Sequence, residues 1–312
     1  MKIIQNFSSN KHYHKIPVID ILIWICGLLS LKSLGHKLKL YCKTTDIEFL
    51  KEFCLYNLYD EIDTDFLDNY KTVVDETNFW SFRKLACIEN EFKINSEEFI
   101  YSDTDVVMAT PLICPYDILV WGLEPADGVY IPLETLSTPE NYTYPEWFLN
   151  TLGAYNCGVL AFKNKAIFDK YLAEYLSFTI NNPCILKLDD NYTQLLSPQE
   201  IRSIWACNAE QKLLKGLAEY LNLKVAAITS NPHEWLSTSG VHYYILRYNW
   251  REYEANKTKL TDTQIELLFK QLTVTAKTCL ETFSPELRSV FLNKYNILKE
   301  VYENGATLTT YI

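Results

Sequence analysis

The chain has 312 residues, 48% of them hydrophobic and 22% charged, enough apolar material for a sizeable core, which excludes a wholly disordered chain. Nine glycines and eleven prolines exclude collagen-like and low-complexity classes. A formal net charge of −10 repels nucleic acid and anionic membrane at long range, so non-specific nucleic-acid binding is excluded. A phosphate-bearing substrate remains compatible with that charge if a metal or a local cation offsets it.

Lys2–Gln5 is a short apolar opening that suits a strand. The run Ile21–Leu31 is strongly apolar and follows Lys11 and Lys15, the pattern of a signal-peptide core. It is too short to span a bilayer, is bounded by Asp20 and Lys32, and lacks a small-x-small cleavage site after it. It therefore reads as a buried helix over about Val18–Leu34, with Gly35 as its stop. Lys37–Tyr41 alternates polar and apolar as a strand does. Thr45 with Glu48 reads as a capping box opening a helix over IEFLKEFCLY. Strand, helix, strand, helix in the first sixty residues predicts parallel pairing with crossover helices.

Apolar spacing predicts a helix over Phe79–Phe92 and a strand over Phe99–Tyr101, which runs into Ser102-Asp103-Thr104-Asp105 and then Val106-Val107-Met108. Further strands are predicted at Val129–Leu133, Tyr155–Phe162, Leu223–Ile228 and Val241–Leu246. Asn164 is placed to cap a helix through Phe178, and Asn208–Leu221 reads as one amphipathic helix. Beyond about Thr261 the pattern is helical, over Asp262–Leu280 and, after Ser284, Pro285–Tyr302. With no repeat and no Gly/Ser linker, the expectation is one α/β domain over residues 1–258 and a helical C-terminal extension over 259–312. The extension reads as a packing buttress, with acceptor, partner or membrane-surface contact as its other uses.

The nine cysteines include no C-x-x-C pair and mostly sit in apolar stretches. They read as reduced, buried thiols of a cytoplasmic protein without a transmembrane segment, for which peripheral membrane contact stays open.

Asp103 and Asp105 carry the strongest chemical signal. On an extended segment residues i and i+2 face the same side, so both carboxylates can address one hard divalent cation, Mn²⁺ or Mg²⁺. The competing reading is a solvated loop, set against the apolar runs on either side. His242, in an apolar strand, can supply an imidazole ligand or be a satisfied core residue. His12 and His14 read as a surface turn. Asn156-Cys157-Gly158 offers a side-chain amide and a close backbone approach to a sugar, or a strand bulge. Glu210-Gln211 reads by default as the acidic first turn of a helix. Lys84 can reach a phosphate as a point charge or lie on the surface.

The order of these pieces resembles a GT-A-fold glycosyltransferase, and within that fold it is similar to the glycogenin-like retaining family, from Met1 to about Asn249. Lys84 stands where that family has a phosphate-contacting lysine. Phe99–Asp105 resembles its strand plus D-x-D motif, with Thr104 between the two acids. Tyr155-Asn156-Cys157-Gly158-Val159 resembles its F-N-S-G-V strand beside the donor sugar. Glu210-Gln211 stands at its Asp-Gln, and Val241-His242-Tyr243 resembles its late V-H-F. The chain departs from the pattern in carrying Glu for Asp at 210, Ile245 for a glycine, and Arg247 or Tyr248 near the diphosphate lysine.

The resemblance implies a Rossmann-like, mostly parallel sheet flanked by helices. It implies a metal-dependent hexosyltransferase moving a sugar from a nucleotide diphosphate-sugar, a UDP-sugar foremost, to a glycan or other hydroxyl acceptor. Asp103, Asp105 and His242 would hold the metal. Lys84, Thr104, Gly158 and Arg247 would join the two acids around the donor, and Asn156, Glu210 and Gln211 would orient the sugar. A sugar nucleotidyltransferase is the second reading, against which the absence of a Gly-rich phosphate loop near the first strand counts. A non-catalytic carbohydrate- or partner-binding protein on the same scaffold is the third.

Overall fold

The computed structural model describes residues 1–8, 18–53, 55–94, 97–126, 129–187, 196–229, 236–237, 240–242, 281 and 285–294. The domain boundary expected at 258/259, the Asp262–Leu280 helix, and His12 and His14 lie outside these. Within Pro285–Tyr302 a helix is described over Pro285–Lys294.

The fold is mixed α/β, with a mostly parallel seven-stranded sheet between helical layers. In chain order the strands are β1 (Lys2–Asn6), β2 (Lys37–Tyr41), β3 (Glu61–Asp63), β4 (Phe99–Ser102), β6 (Ile118–Glu124), β7 (Ala154–Phe162) and β8 (Val225–Ala227), arranged β3-β2-β1-β4-β7-β6-β8. The pairings from β3 through β4 are parallel, β7 is antiparallel to both β4 and β6, and β8 returns parallel to β6. A second, antiparallel sheet joins β5 (Val106–Met108), β10 (Gly240–His242) and β9 (Leu236–Ser237) in the order β5-β10-β9.

Alternation along the strands divides the core into two layers. Ile3 and Ile100 face a cluster with Trp24, Ile25 and Leu28 of helix α1 (Val18–Ser33). Ile4, Phe99 and Tyr101 face the opposite cluster, with Leu85 and Ile88 of helix α4 (Phe82–Ile94) and Phe168 and Tyr171 of helix α6 (Lys165–Thr179). The crossover helices α1 and α4 thus cover opposite faces, and the chain reverses its direction of progress between β1 and β4. Open α/β sheets bind ligands outside the carboxyl ends of their strands at such a switch point.

Several expectations are met. The apolar run is a buried helix, and Gly35 ends it at φ +79, with Gly35 N–H donating to Lys32 O and His36 N–H to Leu31 O, a left-handed C-terminal cap. Asn164 caps α6 by accepting from Ile167 N–H at 3.1 Å. Among the described residues no helix is long and apolar enough to cross a membrane.

Others are corrected. Helix α2 covers only Ile47–Glu52, and its approach is closed by Asp46 accepting from Lys43 N–H rather than by Thr45 with Glu48. The short β3 and helix α3 (Asp65–Asn69) follow it, neither of which the sequence pattern marked. Val129–Leu133 is not a strand but an irregular segment entering a 3-10 turn at Leu133–Thr135; the strand is β6, immediately upstream. Asn208–Leu221 is not a separate helix. It continues α7 (Pro198–Cys207) through a π turn at Asn208–Lys212 into α8 (Leu213–Tyr220). Among the described residues six cysteines are free, Cys42, Cys87, Cys114, Cys157, Cys184 and Cys207, but Cys26 is disulfide-bonded, against the all-thiol expectation.

Candidate active site

The β4 strand stops at Ser102, and Asp103-Thr104-Asp105 form a turn that hands the chain to β5. The two acids are therefore not on one face of an extended strand, and the alternation expected for them does not apply. The turn is held from several sides. Asp103 N–H donates to Gly158 O at 2.7 Å, across the edge of β7. Gln5 Nε2, at the end of β1, donates to Asp103 O at 3.2 Å, while Gln5 Oε1 accepts from Tyr59 and Trp24. Behind the turn lies Gly27 of α1: a Cβ there would stand 2.5 Å from Val106 O. Ser30 Oγ, one turn on, accepts from Met108 N–H at 3.0 Å. Thr104 is half-buried at the turn's crown, and Asp105 is buried at its end.

Lys84 is not a surface lysine. The apolar face of α4 carries it inward, 4% exposed, to an ion pair with Glu210 (Nζ–Oε1 2.8 Å) and with Asp103 (Nζ–Oδ1 3.3 Å), and it donates to Cys157 O at 2.9 Å. The ammonium thus hydrogen-bonds to Asp103 and Cys157 O and is ion-paired with Glu210. Its ammonium also lies 4.9 Å from the Tyr101 ring centroid. Burial alone would lower the Lys84 pKa, but Asp103 and Glu210 outweigh it and hold the ammonium above its ordinary range.

Glu210 is likewise not a solvated first-turn acid. It lies in the π turn, fully buried, where burial pushes its carboxyl above the ordinary range against the opposing pull of Lys84. Apart from the Lys84 ion pair, neither Glu210 Oε1 nor Oε2 has a hydrogen-bond partner among the described residues. A π turn widens a helix by one residue and often marks a functional site; here it turns Glu210 and Gln211 toward the start of β7.

Asn156 and Gly158 sit in β7, every residue of which is buried. Asn156 Oδ1 accepts from Gly158 N–H at 3.0 Å, and Asn156 Nδ2 donates to Glu124 Oε1 at 2.5 Å. Glu124, the last residue of β6, also accepts from Tyr130 on Oε2, and the Tyr130 hydroxyl meets the Gln211 side-chain amide. Burial raises the Tyr130 pKa, with Cys207 and Glu124 adding to it, so the phenol stays protonated.

Lys84, Asp103, Asn156, Gly158, Glu210 and Gln211 therefore lie in one hydrogen-bonded assembly at the carboxyl edge of the sheet. Sequence reasoning missed Glu124, Tyr130 and Gln5. Glu124 closes the apolar run Ile118–Leu123, and recognising that run as a strand would have placed its acid at the same edge. The backbone of His242 pairs with Val106, the residue after Asp105, in the β5–β10 ladder. Arg247 lies outside the described residues. Among the described residues no three His, Cys, Asp or Glu side chains form a cluster able to hold a metal.

No family model matches the sequence, and no curated protein matches it. Among solved structures, one titled "PaToxG Glycosyltransferase" is similar over 97% of this chain and 86% of its own, at 12% identity and a TM-score of 0.36, a likeness too loose to bear on chemistry.

Proposed function

We propose that this chain is a metal-dependent glycosyltransferase that takes a sugar from a nucleotide diphosphate-sugar, a UDP-sugar foremost, and delivers it to a hydroxyl of a glycan or another acceptor. The observation that carries the reading is the ion-paired line Asp103–Lys84–Glu210, three residues from separate segments meeting where an open α/β sheet binds ligands. The Asn156–Glu124–Tyr130–Gln211 chain beside it supplies neutral and anionic partners suited to sugar hydroxyls.

The donor set for the metal is chemically suited to Mn²⁺ or Mg²⁺: two carboxylates, Asp103 and Asp105, with the imidazole of His242. The β5–β10 register supports that set, since it brings the His242 backbone beside the residue that follows Asp105. Bound there, the ion would offset the charge of the departing nucleoside diphosphate.

The protein's own groups divide the remaining work. Lys84, buried between Asp103 and Glu210, positions both acids and contributes its charge through them. Glu210 offers Oε2 to a hydroxyl of the donor sugar, which would satisfy a buried acceptor otherwise costly to leave unpaired. Asn156, already turned by Glu124 and Gly158, borders the sugar with Gln211. Thr104 and Gly158 supply close backbone around the donor, and Arg247 adds cationic character there.

The test is release of nucleoside diphosphate from a panel of UDP- and GDP-sugars with Mn²⁺. Donor-dependent release is the expected result. Pyrophosphate release from a nucleoside triphosphate would replace the reading with nucleotidyl transfer, and intact glycan binding without turnover would replace it with a binding protein.

A further inference from the structure

Tyr130 sits in the irregular segment between β6 and the 3-10 turn at Leu133–Thr135, 7% exposed, with its hydroxyl against both Glu124 Oε2 and the amide atom assigned as Gln211 Oε1. A phenol has one proton. Glu124 takes Asn156 Nδ2 on its other oxygen and, as a carboxylate, only accepts, so the Tyr130 proton belongs to Glu124. The lone pair left on Tyr130 then needs a donor, and the only donor on Gln211's side chain is its NH₂. The Gln211 amide therefore faces Tyr130 with its nitrogen, the reverse of the oxygen-first orientation, and amide oxygen and nitrogen are assigned from such networks. Its carbonyl oxygen is left pointing away from Tyr130.

We propose that Tyr130 is a positioning residue that fixes the polarity of the Gln211 amide. A directed chain results: Gln211 N–H donates to Tyr130, Tyr130 O–H donates to Glu124, and Asn156 N–H donates to Glu124 from the other side. Gln211 is thereby held as a hydrogen-bond acceptor toward the donor sugar, beside the Glu210 Oε2 acceptor of the same π turn. This inference rests on the sugar-transfer reading for its consequence in turnover, but not for the geometry itself. A side chain able to flip would present a donor and an acceptor in alternation, and a sugar hydroxyl would find its partner only part of the time.

Tyr130→Phe tests it, because the ring and its burial are kept and only the hydroxyl is lost. The first readout is the Gln211 side-chain amide in ¹⁵N–¹H NMR spectra of the full chain, assigned by its loss in Gln211→Met. Protected amide protons in the wild-type that become exchange-exposed in Tyr130→Phe are the expected result. The second is Mn²⁺-supported donor turnover, where Tyr130→Phe lowers kcat by about tenfold, the size of one neutral hydrogen bond, while the donor KM moves much less. Unchanged Gln211 amide signals overturn the proposal, as does a Tyr130→Phe variant that loses thermal stability but keeps kcat. If the wild-type releases no nucleoside diphosphate, the transfer reading fails, and the NMR arm alone then decides whether Tyr130 orients Gln211.

Discussion

At the scale of single residues, Lys84 shows how one charge can organise a site. Its ammonium is buried between two carboxylates and a backbone carbonyl, so removing it strips the buried Glu210 carboxyl and Asp103 of their shared counter-charge. Breaking one partner of a buried pair costs about 3–5 kcal/mol. Lys84→Met is expected to lower the unfolding free energy read from urea titration by that amount, and adding Glu210→Gln to it recovers part of the loss; a Lys84→Met variant as stable as the wild-type contradicts the pair. The identities of Lys84, Asp103, Asn156, Glu210 and Gln211 were legible in the sequence, through their spacing and the resemblance. The burial of Lys84, Asn156 and Glu210 was not. A lysine on an amphipathic helix and an acid near a presumed helix start each have a solvated default, and only tertiary packing decides that both turn inward.

The elements explain where the reading failed. Val129–Leu133 and Ile118–Glu124 are both short apolar runs, and periodicity does not separate a buried strand from an apolar loop. Pairing between β6 and β7 decides it, a contact between residues about forty apart in sequence. The π turn was equally hidden, since local propensity predicts helix on both sides of it and no signal marks one added residue. The reverse holds for α1, whose uniformly apolar run announced burial. Its role as a backing for the Asp103–Asp105 turn was not announced, because that depends on Gly27 meeting Val106 O. Gly27→Ala would place a methyl 2.5 Å from that carbonyl, and backbone cannot yield as a flexible side chain does. The expected result is a loss of about 1–3 kcal/mol from overpacking, together with a higher Mn²⁺ concentration for half-maximal donor turnover. A Gly27→Ala variant with wild-type stability and wild-type metal dependence shows that α1 does not set the turn.

Over the whole molecule, topology does what no local pattern can. The reversal of strand order between β1 and β4 puts Asn6, Asp103 and the start of β7 at one edge, and Tyr101 donates to Asn6 across it at 2.6 Å. Strand and helix alternation in the first half predicted parallel pairing, and β1, β2 and β4 follow it. The antiparallel insertion of β7 and the separate β5-β10-β9 sheet rest on long-range pairing that alternation does not encode. That second sheet is what brings the backbone at residue 242 back beside the acid turn, and the central claim is that the acids of that turn support chemistry on a nucleotide-sugar. Turnover of the Asp105→Asn variant at saturating Mn²⁺ tests it most directly. A fall of at least about a hundredfold is predicted, the scale of losing a major electrostatic contribution to catalysis. Turnover near that of the unsubstituted protein would contradict the account.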